Sequence, residues 1–348
     1  MNKRKIAVLF GGCSTEYEIS LKSAAFVIDN LKEDLYDVIA IGITRDGEWF
    51  RYRGPIRQIA DGSWVQYQNT PCILSPQRSV HGILEFRSGQ ARPIRIDAAF
   101  PVLHGKNGED GTVQGLLELA GIPCVGCGSL SSALCMEKDI AHKLVSLAGI
   151  QVPPSVVLDR PGTHQEILDL TNQLKTPLFV KPIKSGSSFG VTKVSDRSKL
   201  PDAVRLAFCH DNRVVVEQAV EGFEVGCAVM GNQDLTIGEI DEIELSAGFF
   251  DYTEKYTLKT SQIHMPARIR PQIAERIKQA ASTVYRTLQC TTMARIDFFL
   301  TPDEEIVFNE VNTIPGFTSH SRFPRMMKGA GLDFPDLLDS LIRLAITP

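Results

Sequence analysis

Short apolar runs and amphipathic stretches alternate along the chain. Lys5 to Phe10 (KIAVLF) is an apolar run closed by Gly11-Gly12, the pattern of a buried strand entering a turn. Leu21, Ala24, Ala25, Ile28 and Leu31 recur at helical spacing, and Thr15-Glu16-Tyr17-Glu18 has the spacing of a capping box, so a helix is predicted to start there. Asp37 to Thr44 reads as a second strand. Strand, glycine turn, helix and strand open a doubly wound α/β domain.

Residues 45–96 read as an elaboration of that domain, with Asp46-Gly47 as a hairpin turn. Asp97 to His104 resumes as a strand. The Gly-rich loop Gly105–Gly111 follows, then a helix over Thr112 to Ala120. Ser129 to Ala148 has one continuous helical pattern, ended by Gly149 and Pro153-Pro154. Leu178 to Lys181 and Val214 to Glu217 are strands, with a helix near 271–288 and a last one near 334–345. Domains are expected over 1–126, 127–217 and 218–348.

Composition narrows the class. With 43% hydrophobic and 22% charged residues, the 348-residue chain is expected to fold rather than stay disordered. A net charge of −4 gives no electrostatic footprint for nucleic acid. No apolar run reaches a membrane span and the first residues lead straight into a strand, so a cytoplasmic enzyme with reduced cysteines is expected. Cys124 and Cys127 have C-x-x-C spacing, but no second pair completes a zinc site, and chance spacing is the plainer reading.

The densest chemistry lies in Met293 to Ser321. Arg295 and Asp297 share one face of a strand, and Glu310 and Asn312 one face of the next. A hairpin centred between Asp303 and Glu304 sets Asp297 opposite Glu310 and Arg295 opposite Asn312, about 5 Å apart. Two adjoining carboxylates and a carboxamide make an oxygen-only set suited to Mg²⁺, with Arg295 beside it as an oxyanion donor. A one-residue slip removes that alignment. Lys184 to Gly190 is a Gly/Ser loop whose backbone N–H groups could cradle phosphate, with Lys181 at the end of the preceding strand. The loop lacks P-loop spacing.

Taken together, Gly11–Glu16, His104 to Gly111, Lys181 to Gly190, Tyr252 to Tyr256, Arg295-Ile296-Asp297 and Asn309 to Ser321 resemble the D-alanine–D-alanine ligase family, over almost the whole chain and in order. The longer 45–96 stretch resembles the resistance-type ligases. The resemblance implies an α/β ATP-grasp fold with a Rossmann-like pre-ATP-grasp domain, and ATP-driven ligation through a D-alanyl phosphate. It implies Asp297, Glu310 and Asn312 as ligands of two Mg²⁺ ions, with Mn²⁺ as a substitute, and Lys138, Lys181 and Lys255 as phosphate contacts. Gly186, Ser187 and Ser188 would form the phosphate loop, and Ser187 would join Tyr256 and Glu16 in a hydrogen-bonded triad. Glu16 would hold the first ammonium and Arg295 the tetrahedral oxyanion; Ser321 would hold the second carboxylate, with His104 nearby. Glu217, Ala219, Val220, Glu224 and Phe249 would form the adenosine site, Ala219 standing where many relatives carry an aromatic ring. The mobile lid of the family maps to 246–264, and a homodimer is the family expectation.

The second substrate is the open point. Lys255-Tyr256 disfavours D-lactate. Asp241, Phe250 and Arg322 resemble the D-serine pocket of the VanG-type ligases, which the whole sequence most resembles, and D-alanine is the alternative. A surface ion pair between Arg322 and Asp241, unconnected with selectivity, is the bland reading of that pair.

Overall fold

The computed structural model describes residues 3–184, 190–245 and 261–347. Among these, three sheets carry the fold. The first comprises β1 (Arg4–Gly11), β2 (Tyr36–Ile43), β3 (Trp49–Arg51), β4 (Thr70–Leu74), β5 (Gly82–Arg87), β6 (Gln90–Arg95) and β7 (Ala98–Val102), in the order β6-β5-β4-β3-β2-β1-β7. β1 lies between β2 and β7, parallel to both, and Ile6 to Phe10 are fully buried, as an unbroken apolar run requires. Residues 45–96 extend this sheet as an antiparallel meander. Trp64 locks the meander to the first strand and helix: its ring meets Phe10 edge-on at 5.1 Å, and its Nε1 donates to Tyr17 Oη at 3.1 Å.

The first helix, Tyr17–Asn30, begins without the predicted capping box. Glu16 takes the N-cap position with no side-chain cap, and its backbone N–H donates to Ser14 Oγ at 3.1 Å. Glu18, the expected reciprocal partner, turns instead to Arg45.

The second sheet is antiparallel: β8 (Ser155–Leu158), β9 (Leu178–Pro182), β10 (Thr192–Val194) and β11 (Val214–Gln218), ordered β10-β9-β11-β8. Leu178, Val180, Val214 and Val216 pack on Leu200, Val204 and Ala207 of the helix Leu200–Phe208. Alternation turns Phe179, Lys181 and Glu217 to the other face.

The third sheet comprises β12 (Phe223–Gly231), β13 (Leu235–Leu245), β14 (Ser261–His264), β15 (Met293–Leu300) and β16 (Ile306–Asn312), ordered β14-β13-β12-β15-β16. The helix Pro271–Thr287 covers one face through Ile273, Ile277, Ala281 and Val284.

The predicted helix over 129–148 is two helices, Ser129–Met136 and Lys138–Leu147. Glu137 leaves helical geometry at ψ 86°. Ion pairs from outside the helix hold the break: Arg213 reaches Glu137 at 3.2 Å and Asp139 at 2.9 Å, and Lys184 reaches Glu137 at 2.8 Å. The last helix, Phe334–Ile346, packs back on the first sheet's helix, with Phe334 4.6 Å from Phe26 and Tyr36 Oη donating to Asp339 at 2.5 Å. No helix of the described residues is long and apolar enough to cross a membrane. Cys124 and Cys127 are not bonded to each other; the Cys127 thiol donates to the Thr291 and Met293 carbonyls.

Trp64→Ala should cost about 3–5 kcal/mol, because it empties a fully buried site. Urea unfolding measures this, and an unchanged midpoint would show that the meander does not share the core.

Candidate active site

The hairpin of β15 and β16 turns through Pro302-Asp303-Glu304, with Glu304 left-handed at φ 60° and Thr301 and Glu305 closing the turn. Next to the turn, Phe298 pairs with Phe308, a register centred on Asp303. Continued, it would set Asp297 against Asn309. A bulge intervenes, and Asp297 pairs with Glu310 and Arg295 with Asn312. The expected pairs therefore form, although the turn is centred differently. The bulge has its own partner, since His142 Nε2 lies 2.8 Å from the Asn309 carbonyl oxygen. A carbonyl only accepts, so Nε2 carries the proton.

Asp297 is 1% exposed. Its carboxylate accepts from Arg295 Nη2 at 2.8 Å and Asn312 Nδ2 at 2.9 Å, and lies 3.3 Å from Arg322 Nη2. Burial raises its pKa, but Arg295 and then Arg322 outweigh this and hold it below the usual carboxylate range. Arg322, at the start of the helix Arg322–Gly329, clasps Asp241 through Nε at 2.8 Å and Nη2 at 2.7 Å. Its Nη1 donates to Glu224 at 2.9 Å. Asp241 is fully buried and Arg322 7% exposed, so the pair is no surface ion pair. Gly226 makes room for it, because a Cβ there would collide with the Arg322 guanidinium.

Two cavities meet above this cluster. The first, about 500 Å³, is lined by Glu16, His104, Lys138, Arg295, Glu310, Asn312, Ser321 and Arg322 among others. The second, about 980 Å³, is lined by Lys138, Lys181, Glu217, Ala219, Val220, Glu224 and Glu310 among others. Lys138 and Glu310 belong to both, their charged ends 3.9 Å apart. Lys181 is paired with Glu217 on the adjacent strand. Burial raises the Glu217 carboxyl, yet Lys181 and His142 bring it below its ordinary value.

In the first cavity, His104 Nδ1 lies 3.1 Å from the Ile314 carbonyl, so Nδ1 donates and the buried Nε2, which has no partner among the described residues, is an acceptor. Burial, against the opposing pull of Glu16, lowers its pKa and keeps the ring neutral. Glu109 accepts from the Gly105 N–H at 2.7 Å and the Ile314 N–H at 3.3 Å, so it ties the 104–111 loop to the segment after β16. Burial and then the nearby Glu16 push its carboxyl up to about 8.

The fit to a hard divalent cation rests on the donor set. Asp297, Glu310 and Asn312 place only oxygen ligands on one sheet face. Among the described residues, Arg295 pairs with Asp297, Arg322 with Asp241 and Glu224, and Lys138 lies 3.9 Å from Glu310, so the oxygen set sits in a field of buried ion pairs. Asp297 and Asp241 line neither cavity and lie beneath them. Gly186, Ser187, Ser188, Phe249, Phe250, Lys255 and Tyr256 lie outside the described residues.

Sequence reasoning missed Glu109 as a loop tie, His142 as the bulge partner and Arg213 as the clamp on both neighbours of Lys138. Glu109 stood inside a quoted motif; for His142 and Arg213 the sequence carries no local signal.

Residues 5–127 match the family described as D-ala D-ala ligase N-terminus, and residues 144–343 the one described as D-ala D-ala ligase C-terminus. Among solved structures, the VanG D-Ala:D-Ser ligase from Enterococcus faecalis is similar at 56% identity and a TM-score of 0.92, over 99% of this chain and 100% of that one. In sequence, the vancomycin B-type resistance protein VanB of Enterococcus faecalis is 47% identical, over 99% of each chain. A D-alanine–D-alanine ligase of Caldicellulosiruptor bescii is 45% identical, over 99% of this chain and 96% of its own length.

Glu109 makes stability depend on pH. Its carboxyl titrates near 4.5 in the unfolded chain and near 8 in the fold, so between these values the native state holds the extra proton. Stability should therefore fall as pH rises from about 5 to 8 and level off above. Glu109→Gln should remove this contribution, so that wild type loses a few kcal/mol relative to the variant across that window in urea unfolding. Parallel curves would show that Glu109 is already ionised.

Proposed function

The chain belongs to the D-alanine–D-alanine ligase family of ATP-dependent ligases, with their ATP-grasp fold, and from that premise we propose that it joins D-alanine to D-serine. The product would be D-alanyl–D-serine for peptidoglycan precursors with reduced vancomycin affinity, made in the cytoplasm. One observation carries the choice of D-serine: Arg322 lines the first cavity beside Ser321 and is anchored from behind on buried Asp241. A guanidinium so placed is a donor for a small side-chain hydroxyl. A pocket built for a hydroxyl disfavours a substrate lacking it, because the donor is left unpaired.

In this reading ATP occupies the second cavity and the amino acids the first, and the γ-phosphoryl group passes to the carboxylate of the first D-alanine at their junction. Lys138 and Lys181 neutralise phosphate charge from the cavity walls. Glu16 holds the first ammonium, and His104 Nε2 offers an acceptor for a second donor. When the second amine attacks the acyl phosphate, Arg295 stabilises the tetrahedral oxyanion, a role that fits its fixed pairing with Asp297. Phosphate then leaves. Glu310, Asn312 and Asp297 would hold Mg²⁺, which supplies charge neutralisation on the phosphoryl oxygens.

D-alanine as second substrate is the competing outcome, and the family's D-alanine–D-alanine ligases keep it in view. The deciding experiment is ADP release with ATP and Mg²⁺, supplying D-alanine alone or with D-serine, and weighing the dipeptides by mass spectrometry. D-alanyl–D-serine is expected as the main product. D-alanyl–D-alanine alone would overturn the D-serine assignment and leave the ligase chemistry standing.

Arg322→Leu should lower the D-serine to D-alanine product ratio by roughly tenfold or more. Glu310→Gln should slow turnover on the order of a hundredfold at millimolar Mg²⁺, with partial recovery as Mg²⁺ is raised. Wild-type rates in that variant would remove Glu310 from the cation site.

A further inference from the structure

Arg322 does more than face the amino-acid cavity. Its Nε and Nη2 are taken by Asp241, and Nη2 also lies near Asp297. Nη1 donates to Glu224 at 2.9 Å. Glu224 lines the other cavity, the one lined by Lys181 and Glu217. One ion pair therefore joins the walls of the two cavities. A guanidinium has five N–H donors in a fixed plane. With Nε and Nη2 committed, the N–H left for a substrate hydroxyl sits on Nη1, the nitrogen that Glu224 holds. Gly226, whose N–H donates to Asp241 Oδ1 at 3.1 Å, closes the slot from the sheet side, so the guanidinium has little room to turn on its own.

We propose that Glu224 is a positioning residue for the choice of second amino acid: by holding Arg322 Nη1 from the nucleotide cavity, it aims the remaining N–H at the hydroxyl of D-serine. The inference rests on the D-serine reading of the first cavity. Its physical core is that a carboxylate grips a guanidinium N–H about twice as strongly as a neutral oxygen does. A carboxamide at 224 would hold Nη1 weakly and add an NH₂ donor facing it. Glu217 is the natural control. It is a buried carboxylate of the same cavity, its partners are Lys181 and His142, and it makes no contact with Arg322.

The test supplies wild type, Glu224→Gln and Glu217→Gln with ATP, Mg²⁺, D-alanine and an equal concentration of D-serine. It reads the ratio of D-alanyl–D-serine to D-alanyl–D-alanine by mass spectrometry, together with the KM for ATP. Glu224→Gln should lower the product ratio roughly tenfold. Glu217→Gln should raise the KM for ATP and leave the ratio at the wild-type value. If Glu224→Gln does not fold, Glu224→Asp takes its place, because the shorter carboxylate withdraws from Nη1 and should lower the ratio in the same direction. A wild-type ratio in the 224 variants, with only the KM for ATP raised, overturns the proposal and makes Glu224 a nucleotide contact alone. An equal drop in Glu217→Gln also overturns it, since the cavity and not this ion pair would then set selectivity. Wild type that makes only D-alanyl–D-alanine overturns the D-serine reading and the proposal together, an outcome distinct from the other two.

Discussion

Charge buried under the junction of the two cavities is the constraint on which the rest of the site depends. A carboxylate removed from water is costly unless a cation and hydrogen bonds replace the solvent. Asp241 and Asp297 are both buried, and each is met by a guanidinium. Arg322 alone contacts β12 through Glu224, β13 through Asp241 and β15 through Asp297. Three strands and the helix that begins at Arg322 must therefore meet in one geometry, and removing either partner would strand a charge. The same arrangement puts donors at the floor of the amino-acid cavity without further machinery.

The bulge at Asn309 is the second device. Regular pairing from the turn would have presented Asn309 and Val311 to Asp297 and Arg295. One extra residue exchanges them for Glu310 and Asn312 and returns Val311 to the core, where it is buried. His142 secures the displaced carbonyl, so an element far away in the chain maintains the register of the hairpin. Arg213 acts similarly on the helix break, fixing Glu137 and Asp139 on either side of Lys138.

Much of this was legible in the chain. The KIAVLF run, the Asp46-Gly47 turn, the helix over Thr112–Ala120 and the polar face of the 293–312 hairpin each follow from local alternation or turn chemistry. The Asp297–Glu310 pairing was reached by a register that is right at the site and wrong at the turn, because the bulge compensates for the difference. The capping box failed because the helix starts one residue later, with Glu16 at the N-cap, and Glu18 pairs with Arg45. The single helix over 129–148 failed because propensity is weak beside three ion pairs at one residue break.

By itself, the sequence determined the strands Arg4–Gly11, Tyr36–Ile43, Ala98–Val102, Leu178–Pro182, Val214–Gln218, Met293–Leu300 and Ile306–Asn312, the helices Tyr17–Asn30, Thr112–Ala120, Pro271–Thr287 and Phe334–Ile346, and the oxygen-rich hairpin face, since these depend on the order and period of neighbouring residues, while its motifs carried the resemblance to the family. Only the tertiary structure decided that Arg322 and Asp241, 81 positions apart, form a buried pair, that Glu109 is pushed towards neutrality, and that one guanidinium spans the walls of both cavities. The physical reason is the same in each case. Desolvation and ion pairing depend on what surrounds a group in space, and elements distant in the chain supply those surroundings.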